Sequence, residues 1–357
     1  MIKSGRFRAG LWVLRRLPGS RLLHKLAYSP NIGPGFRLGR GACIIGEDVH
    51  VGEDVSIGRN TVILGKEISL GDGVSIGSNV EINCKKVRVG ERTRIDESCT
   101  VGGLSTPRSE LEIGKEVHVF EDCYLNTTNK LTIGNGTGIG GRTMIWTHGS
   151  WQSILEGYPV SFAPTTLGEN VWLPWHIIVM PGVTIGSGAT IGAGAVVTKD
   201  VPPGSLAAGV PARVLKDASS YPRKVEMEEK ARIASDIIDD FGESLNGIYS
   251  VRFLVKKRES YNTRRDGNVW TVSAPHEQWR LVLITDPARF SEFKPDGSAL
   301  VLSLLPVEDA IWQRSREFYG IFDLSERVYS VRGSSFVVDT LLQILGRYGI
   351  HMSPRQR

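Results

Sequence analysis

The residue whose chemistry stands out is His148, within IWTHGSWQSILEGYPVSFAP, residues 145–164. An imidazole titrates near neutral pH, so it can take a proton from an attacking hydroxyl or amine as a general base. On either side of this stretch the chain repeats short units that open with an aliphatic residue, usually followed by glycine. Directly after His148 those units give way to Trp151, Gln152, Glu156, Tyr158 and Phe162. The other reactive side chains are less tellingly arranged. Cys43, Cys84, Cys99 and Cys123 form no CxxC pair and no metal-type spacing, which reads as reduced thiols filling small core positions. GTGIGG at 136–141 has the outline of a dinucleotide fingerprint, but its glycines stay in phase with the repeat and no crossover helix follows.

The elements that must position His148 are set by a six-residue period. Leu167, Leu173, Val179, Ile185, Ile191 and Val197 follow one another at that step, as do Ile133, Ile139 and Ile145. The same step runs through Ile45, Val51 and Ile57 and through Leu70, Ile76 and Ile82, slipping to seven at Ile57–Leu64 and Ile82–Val89. A helix would space its apolar residues by three and four. Inward positions at i and i+4 of a strict six describe a short strand followed by a turn. The glycine after the aliphatic residue is expected to supply a backbone conformation that a side chain resists. No such strand buries its inner face alone, so successive coils must stack, three rungs to a triangular coil. On this count Ile145 opens a complete rung over 145–150, with inward positions 145 and 149. The next rung starts at Leu167, and residues 151–166 form a loop of 16 extra residues that leaves His148 outside the core at its base.

The block LGENVWLPWHIIVMPGVTIGSGATIGAGAVVTKDVPPGSLAAGVPARVL, residues 167–215, resembles the hexapeptide-repeat acyltransferases, CoA-dependent O-acetyltransferase branch, over about residues 32–216. The resemblance implies a mainly β fold, a left-handed parallel β-helix, acetyl-CoA as co-substrate with no metal, and a homotrimer. It implies His148 as the catalytic base and Asn126, in a Y-x-N setting, beside the acceptor; Asn126 reads equally as a turn residue. Lys199, Arg213 and Lys216 stand where the family meets the CoA phosphates, and Thr198 and Ala193 where the pantetheine arm lies. Trp172 belongs to the VW pair of that segment. The chain departs from the family in reading Leu173-Pro174-Trp175 where relatives have isoleucine, glycine and a small residue. Trp175 is thus expected to line the acceptor or narrow the channel for a short acyl group, or equally to serve as packing for the C-terminal domain. Trp151 and Tyr158 are expected to wall the acceptor pocket or to reach a neighbouring subunit.

The rest of the chain is read by pattern. Residues 1–31 carry Lys3, Arg6, Arg8, Arg15, Arg16, Arg21 and Lys25 with no acidic residue, a basic amphipathic arm suited to an anionic membrane surface or to packing on the main domain. Its apolar run is too short to span a bilayer and lacks a signal-peptide pattern. Residues 217–243 read as a linker helix and 244–357 as a small α/β domain of unassigned role. A net charge of +5 over 357 residues does not point to nucleic acid. The sequence therefore predicts a cytoplasmic O-acetyltransferase, placed at the inner face of the membrane if the arm binds it. Its expected acceptor is a small molecule or glycan, such as a sugar or surface-polysaccharide precursor. The alternatives are N-acetylation of an amino sugar, a γ-carbonic-anhydrase-like zinc lyase built on His118, His148 and His176, and a scaffold without catalysis.

Overall fold

A computed structural model describes residues 31–248, 254–258, 269–273, 278–285, 297–333 and 335–355. But for Asn31, the basic arm expected over 1–31 lies outside them. The chain divides into two compact units at Arg223/Lys224.

The first unit is a three-sided parallel β-helix. Its coil strands of two to four residues form three sheets, here A, B and C, visited in that order by every coil and parallel throughout, except that the five-residue strand Ala212–Lys216 closes sheet B antiparallel. Such short strands stand because each pairs with the coil before and the coil after, and because each inward aliphatic side chain meets its counterparts in one continuous core. On sheet A the partners run Ile32, Val51, Leu70, Val89, Ile113, Ile133, Leu167 and Ile185. The chain advances 19 residues at each of the first three steps, then 24, 20, 34 and 18.

All of that variation falls on one edge of the prism. From sheet A to sheet B the step between buried aliphatics is six in every coil, as at Val89–Ile95 and Leu167–Leu173. From B to C it is also always six, as at Ile95–Val101 and Leu173–Val179. From C back to A it is seven at Ile63–Leu70, 12 at Val101–Ile113, eight at Leu125–Ile133, 22 at Ile145–Leu167 and six at Val179–Ile185. This corrects the register expected near the start. Ile63, not Leu64, is the inward residue of its rung, and the seven-residue step follows it. Leu64 faces out with Cys43 and Val62 in a separate cluster; adjacent apolar residues gave both phases the same pattern.

The two constant edges share a turn. The third residue after each inward aliphatic is left-handed: Asp54, Gly73, Arg92, Glu116, Gly136, Asn170 and Gly188 on one edge, and Asn60, Asn79, Ser98, Asp122, Arg142, His176 and Gly194 on the other. The glycine directly after the aliphatic is not the one that needs a positive φ, contrary to expectation. Its reason is space. A Cβ on Gly134 would lie 2.5 Å from the carbonyl carbon of Gly168 in the next coil.

The second unit is a seven-stranded mixed sheet. Its strands, Leu254–Arg258, Val269–Ser273, Gln278–Ile284, Ala299–Ser303, Gly320–Asp323, Val328–Val331 and Ser353–Pro354, lie side by side in chain order. Helix α1 (Met227–Ile248) buries Ala234, Ile237, Ile238, Phe241 and Leu245, a spacing that keeps them on one face, in a core with Leu281, Leu300 and Phe322. The helix expected as a linker over 217–243 thus belongs to this unit's core. Helix α2 (Asp309–Gln313) packs Ile311 with Val282, Val301 and Ile321, on the alternate residues of the same strands. Helix α3 (Phe336–Arg347) starts at a Ser335 cap and adds Val337, Val338, Leu341, Ile344 and Leu345 to the α1 core.

Candidate active site

The variable C-to-A edge holds three stacked excursions, in 103–109, 127–130 and 146–164. His148 stands at the start of the largest. The excursion keeps its 16 extra residues (a 34-residue coil against 18) but leaves the prism earlier than the periodicity predicts. Thr165, not Gly149, fills the inward slot after Ile145: Thr165 is fully buried, donates from Oγ1 to the Trp146 carbonyl at 2.7 Å, and Gly149 is exposed. A threonine fills that slot and bonds the coil, whereas glycine leaves it empty. His148 and Gly149 instead pair antiparallel with Phe162 and Ser161, the stem of a hairpin. The His148 ring stacks on Phe162 at 5.8 Å between centroids and meets Trp146 at 6.1 Å.

One ring nitrogen of His148 is held from the preceding coil. Nδ1 lies 3.0 Å from Asn126 Oδ1 and 3.1 Å from Thr128 Oγ1. Asn126 is fully buried, and its Oδ1 also accepts from Thr147 Oγ1 at 2.8 Å and from the Thr128 amide at 3.2 Å. The Leu104 amide, from the first excursion, donates to Thr128 Oγ1 at 3.0 Å, so all three excursions meet at this point. A Cβ on Gly103 would lie 2.5 Å from Thr128 Oγ1, which keeps that position free of a side chain. No described residue bonds Nε2. Thr128 and Thr147 were not singled out from sequence; the NTT run at 126–128 carried the signal but also has the form of a glycosylation sequon.

The other expected site residues are dispersed. Thr198 and Lys199 follow the last sheet C strand on the same edge as His148, two coils on, or about 10 Å at the spacing of neighbouring strands. Trp151 is 98% exposed and Tyr158 is also exposed on the excursion. Ala193 and Trp175 stand at the B-to-C edge. Trp172 lies on the outer face of sheet B, and Arg213 and Lys216 on the strand Ala212–Lys216 at the end of that sheet. Sheet B is the side of the triangle opposite the His148 edge. The outer face of sheet C, between the two edges, carries Tyr124, Met144, Ile178 and Val196 in one apolar column.

A second histidine sits in a different setting. His118 Nε2 lies 2.8 Å from Asp96 Oδ2, and Arg94 Nε donates to the other oxygen at 2.5 Å. The ring stacks on Phe120 at 3.9 Å, and Phe120 neighbours Trp172 and Trp175. The two indoles lie over Gly138 and Gly141, where a Cβ would meet them at 2.6 and 2.0 Å. His118 on sheet B, His148 on the C-to-A edge and His176 in the left-handed turn of the B-to-C edge therefore do not converge. Among the described residues no group of three or more His, Cys, Asp or Glu is placed to hold a metal ion. The four cysteines are buried; burial pushes the Cys84 thiol up to about 12, so it stays protonated.

Residues 164–199 match the family described as bacterial transferase hexapeptide (six repeats). The galactoside O-acetyltransferase of Escherichia coli (strain K12) is 36% identical over 115 residues, 29% of this chain and 55% of that protein. The chain spans 54–61% of the length of the first curated relatives it matches. Among solved structures, an N-acyltransferase from Bacillus cereus, AntD, is 20% identical with a TM-score of 0.32, over 52% of this chain and 90% of that one. A galactoside acetyltransferase in complex with coenzyme A is 21% identical with a TM-score of 0.28, over 62% and 86%. No helix among the described residues is long and apolar enough to cross a membrane. The three-sided coils carry the repeat that this family describes, matched over residues 164–199.

Proposed function

We propose that this protein is an acetyltransferase that moves acetyl from acetyl-CoA to a hydroxyl of a sugar or surface-polysaccharide precursor, with His148 as general base. The observation that carries the reading is the His148 corner: an imidazole on a hairpin stem, one nitrogen held by Asn126 and Thr128 and the other bonded by no described residue. The family repeat and the similarity to a galactoside O-acetyltransferase support the reaction class.

The thioester supplies the acetyl group. His148 Nε2 takes the proton as the acceptor oxygen attacks the carbonyl, then returns it to the departing thiolate, so the C–S bond breaks as the new C–O bond forms. Lys199, Arg213 and Lys216 would meet the CoA phosphates; all three are exposed and have no carboxylate partner among the described residues. The apolar column Met144–Ile178–Val196 suits a pantetheine arm crossing between Ala193 on one edge and Thr198 on the other. Trp172, Arg213 and Lys216 lie on the side opposite His148. One prism does not gather the whole set, which supports a homotrimer with sites completed by a neighbouring copy. Trp151, Tyr158 and Trp175 would then meet the acceptor or that neighbour. A cytoplasmic enzyme whose residues 1–31 touch the inner face of the membrane fits a lipid-linked glycan precursor.

The test is an acceptor screen with acetyl-CoA, read by thiol release and mass spectrometry of the product. Acetyl on a sugar hydroxyl is the expected outcome. Acetyl on an amine would move the reaction to N-acetylation, and turnover of no acceptor by the full-length protein would sink the proposal.

A further inference from the structure

Asn126 is expected from the family resemblance to touch the acceptor, yet it is shut off from solvent and its Oδ1 is taken up within the protein. It is fully buried, and four groups converge on its Oδ1: His148 Nδ1 at 3.0 Å, Thr147 Oγ1 at 2.8 Å, the Thr128 amide at 3.2 Å and the Thr147 amide at 3.4 Å. Two of these are backbone N–H groups, which only donate. They settle which end of the amide faces the histidine, a choice that geometry alone often leaves open. The Thr147 hydroxyl accepts from the Asn129 amide at 2.9 Å, so its own proton is free to point at Asn126. Facing an oxygen that can only accept, Nδ1 must carry a proton. Thr128 Oγ1, a hydroxyl able to donate or accept, lies 3.1 Å away and already accepts from the Leu104 amide; Asn126 Oδ1, the nearer of the two, is what sets the tautomer.

We propose that Asn126 is a positioning residue: with Thr128 and Thr147 it locks His148 in the Nδ1–H tautomer, leaving Nε2 as the basic nitrogen, and it makes no contact with the acceptor. This rests on His148 being the base, and it reassigns Asn126 within that site. The lock is neutral. Where a carboxylate in this place would hold the imidazole more firmly once protonated, an amide orients the ring without adding charge. The titratable groups on the elements around the imidazole include Tyr124, which accepts from Asn126 Nδ2 at 3.5 Å, Glu156 and Tyr158 on the excursion, Lys130, paired with Glu112, and Lys199 two coils on. None is hydrogen-bonded or ion-paired to His148 among the described residues.

The experiment is nitrogen NMR of the full chain with labelled histidine, the His148 signals being identified by their loss in His148→Gln. The expected spectrum of the neutral ring shows Nδ1 protonated and Nε2 bare; an Nε2–H tautomer, or an even mixture, overturns the proposal. Asn126→Leu should abolish the preference and lower kcat by about 10²-fold with acceptor KM unmoved. Asn126→Asp places a charge beside the ring, so the acid limb of the pH–rate profile should move to higher pH by about one unit. A rise in acceptor KM with an unmoved acid limb would instead make Asn126 an acceptor ligand. If Asn126→Leu fails to fold, Asn126→Asp and Thr128→Val carry the same two readouts. The tautomer is read without turnover, so full activity in His148→Gln would defeat the base assignment while leaving the lock to stand or fall on its own spectrum.

Discussion

Two edges of the prism and the third obey different rules. On the A-to-B and B-to-C edges every turn spans six residues and places its third residue in the left-handed region. On the C-to-A edge the span runs from six to 22. A turn repeated without change is what stacking demands, because a one-residue slip on a constant edge would turn every following side chain out of the core. Once two edges fix the register, the third can lengthen without cost to the core, and segments thrown out there stack on one another. That is how His148 comes to meet Asn126 and Thr128 of the preceding coil.

The two part-buried histidines among the described residues give the sharpest form of that contrast. His118 belongs to a regular sheet and is held by the carboxylate of Asp96; His148 belongs to the variable edge and is held by an amide. The largest expected effect separates them. His148→Gln should lower acetyl transfer by about 10² to 10⁴-fold, the usual worth of a general base, while His118→Gln should change it by less than about 10-fold. Thiol release from acetyl-CoA with a responsive acceptor measures both. Equal losses would erase the distinction between the edges.

Next come changes in chain length. Inserting Gly-Ser between Gly136 and Thr137, on a constant edge, should destabilise the protein by more than about 3 kcal/mol, because the register downstream is lost. Replacing residues 150–160 with Asn-Gly should cost less than about 1 kcal/mol, since the hairpin stem at His148–Gly149 and Ser161–Phe162 is kept. Urea midpoints decide between them, and a loop deletion as damaging as the insertion would show that the third edge also sets the fold.

A smaller effect tests the corner itself. Gly103→Ala would set a Cβ 2.5 Å from Thr128 Oγ1 and 2.6 Å from Asn126 Nδ2, whereas at Gly102 the nearest atom is 3.4 Å away. Displacing Thr128 should lower kcat by about 10-fold in Gly103→Ala with little change in Gly102→Ala. Comparable rates in the two variants would show that His148 does not depend on its neighbours.

The constant edges were legible in the sequence and the variable edge only in part, for a physical reason. A six-residue period is written into the chain by the core, so the coils and their stacking follow from residues such as Leu167, Leu173 and Val179, and the length of the excursion from the gap between Ile145 and Leu167. Where the excursion leaves the coil is decided by a hydrogen bond. Thr165 and Gly149 both fall at spacings that a rung allows, and only the bond from Thr165 to Trp146 chooses between them. The partners of His148 come from coils some 20 residues away, a separation set by loop lengths that follow no period. The same limit holds at Ile63 and Leu64, where two apolar neighbours offer two phases.

The smallest effect concerns His176, whose place among possible zinc ligands depends on which rule governs it. It occupies the left-handed turn slot of a constant edge at φ 60°, the slot that Asn60 and Asn79 fill in other coils. Asparagine enters that region more readily than most side chains, and a β-branched residue resists it. His176→Asn should therefore leave stability unchanged or raise it by a few tenths of a kcal/mol, and His176→Val should lower it by about 1–2 kcal/mol. If the residue is a turn residue, acetyl transfer should follow neither change and purified protein should hold no stoichiometric zinc. Zinc lost on substitution to Asn would put His176 in a metal site and break the rule for this edge, since a ligand's worth lies in its ring and a turn residue's in its backbone.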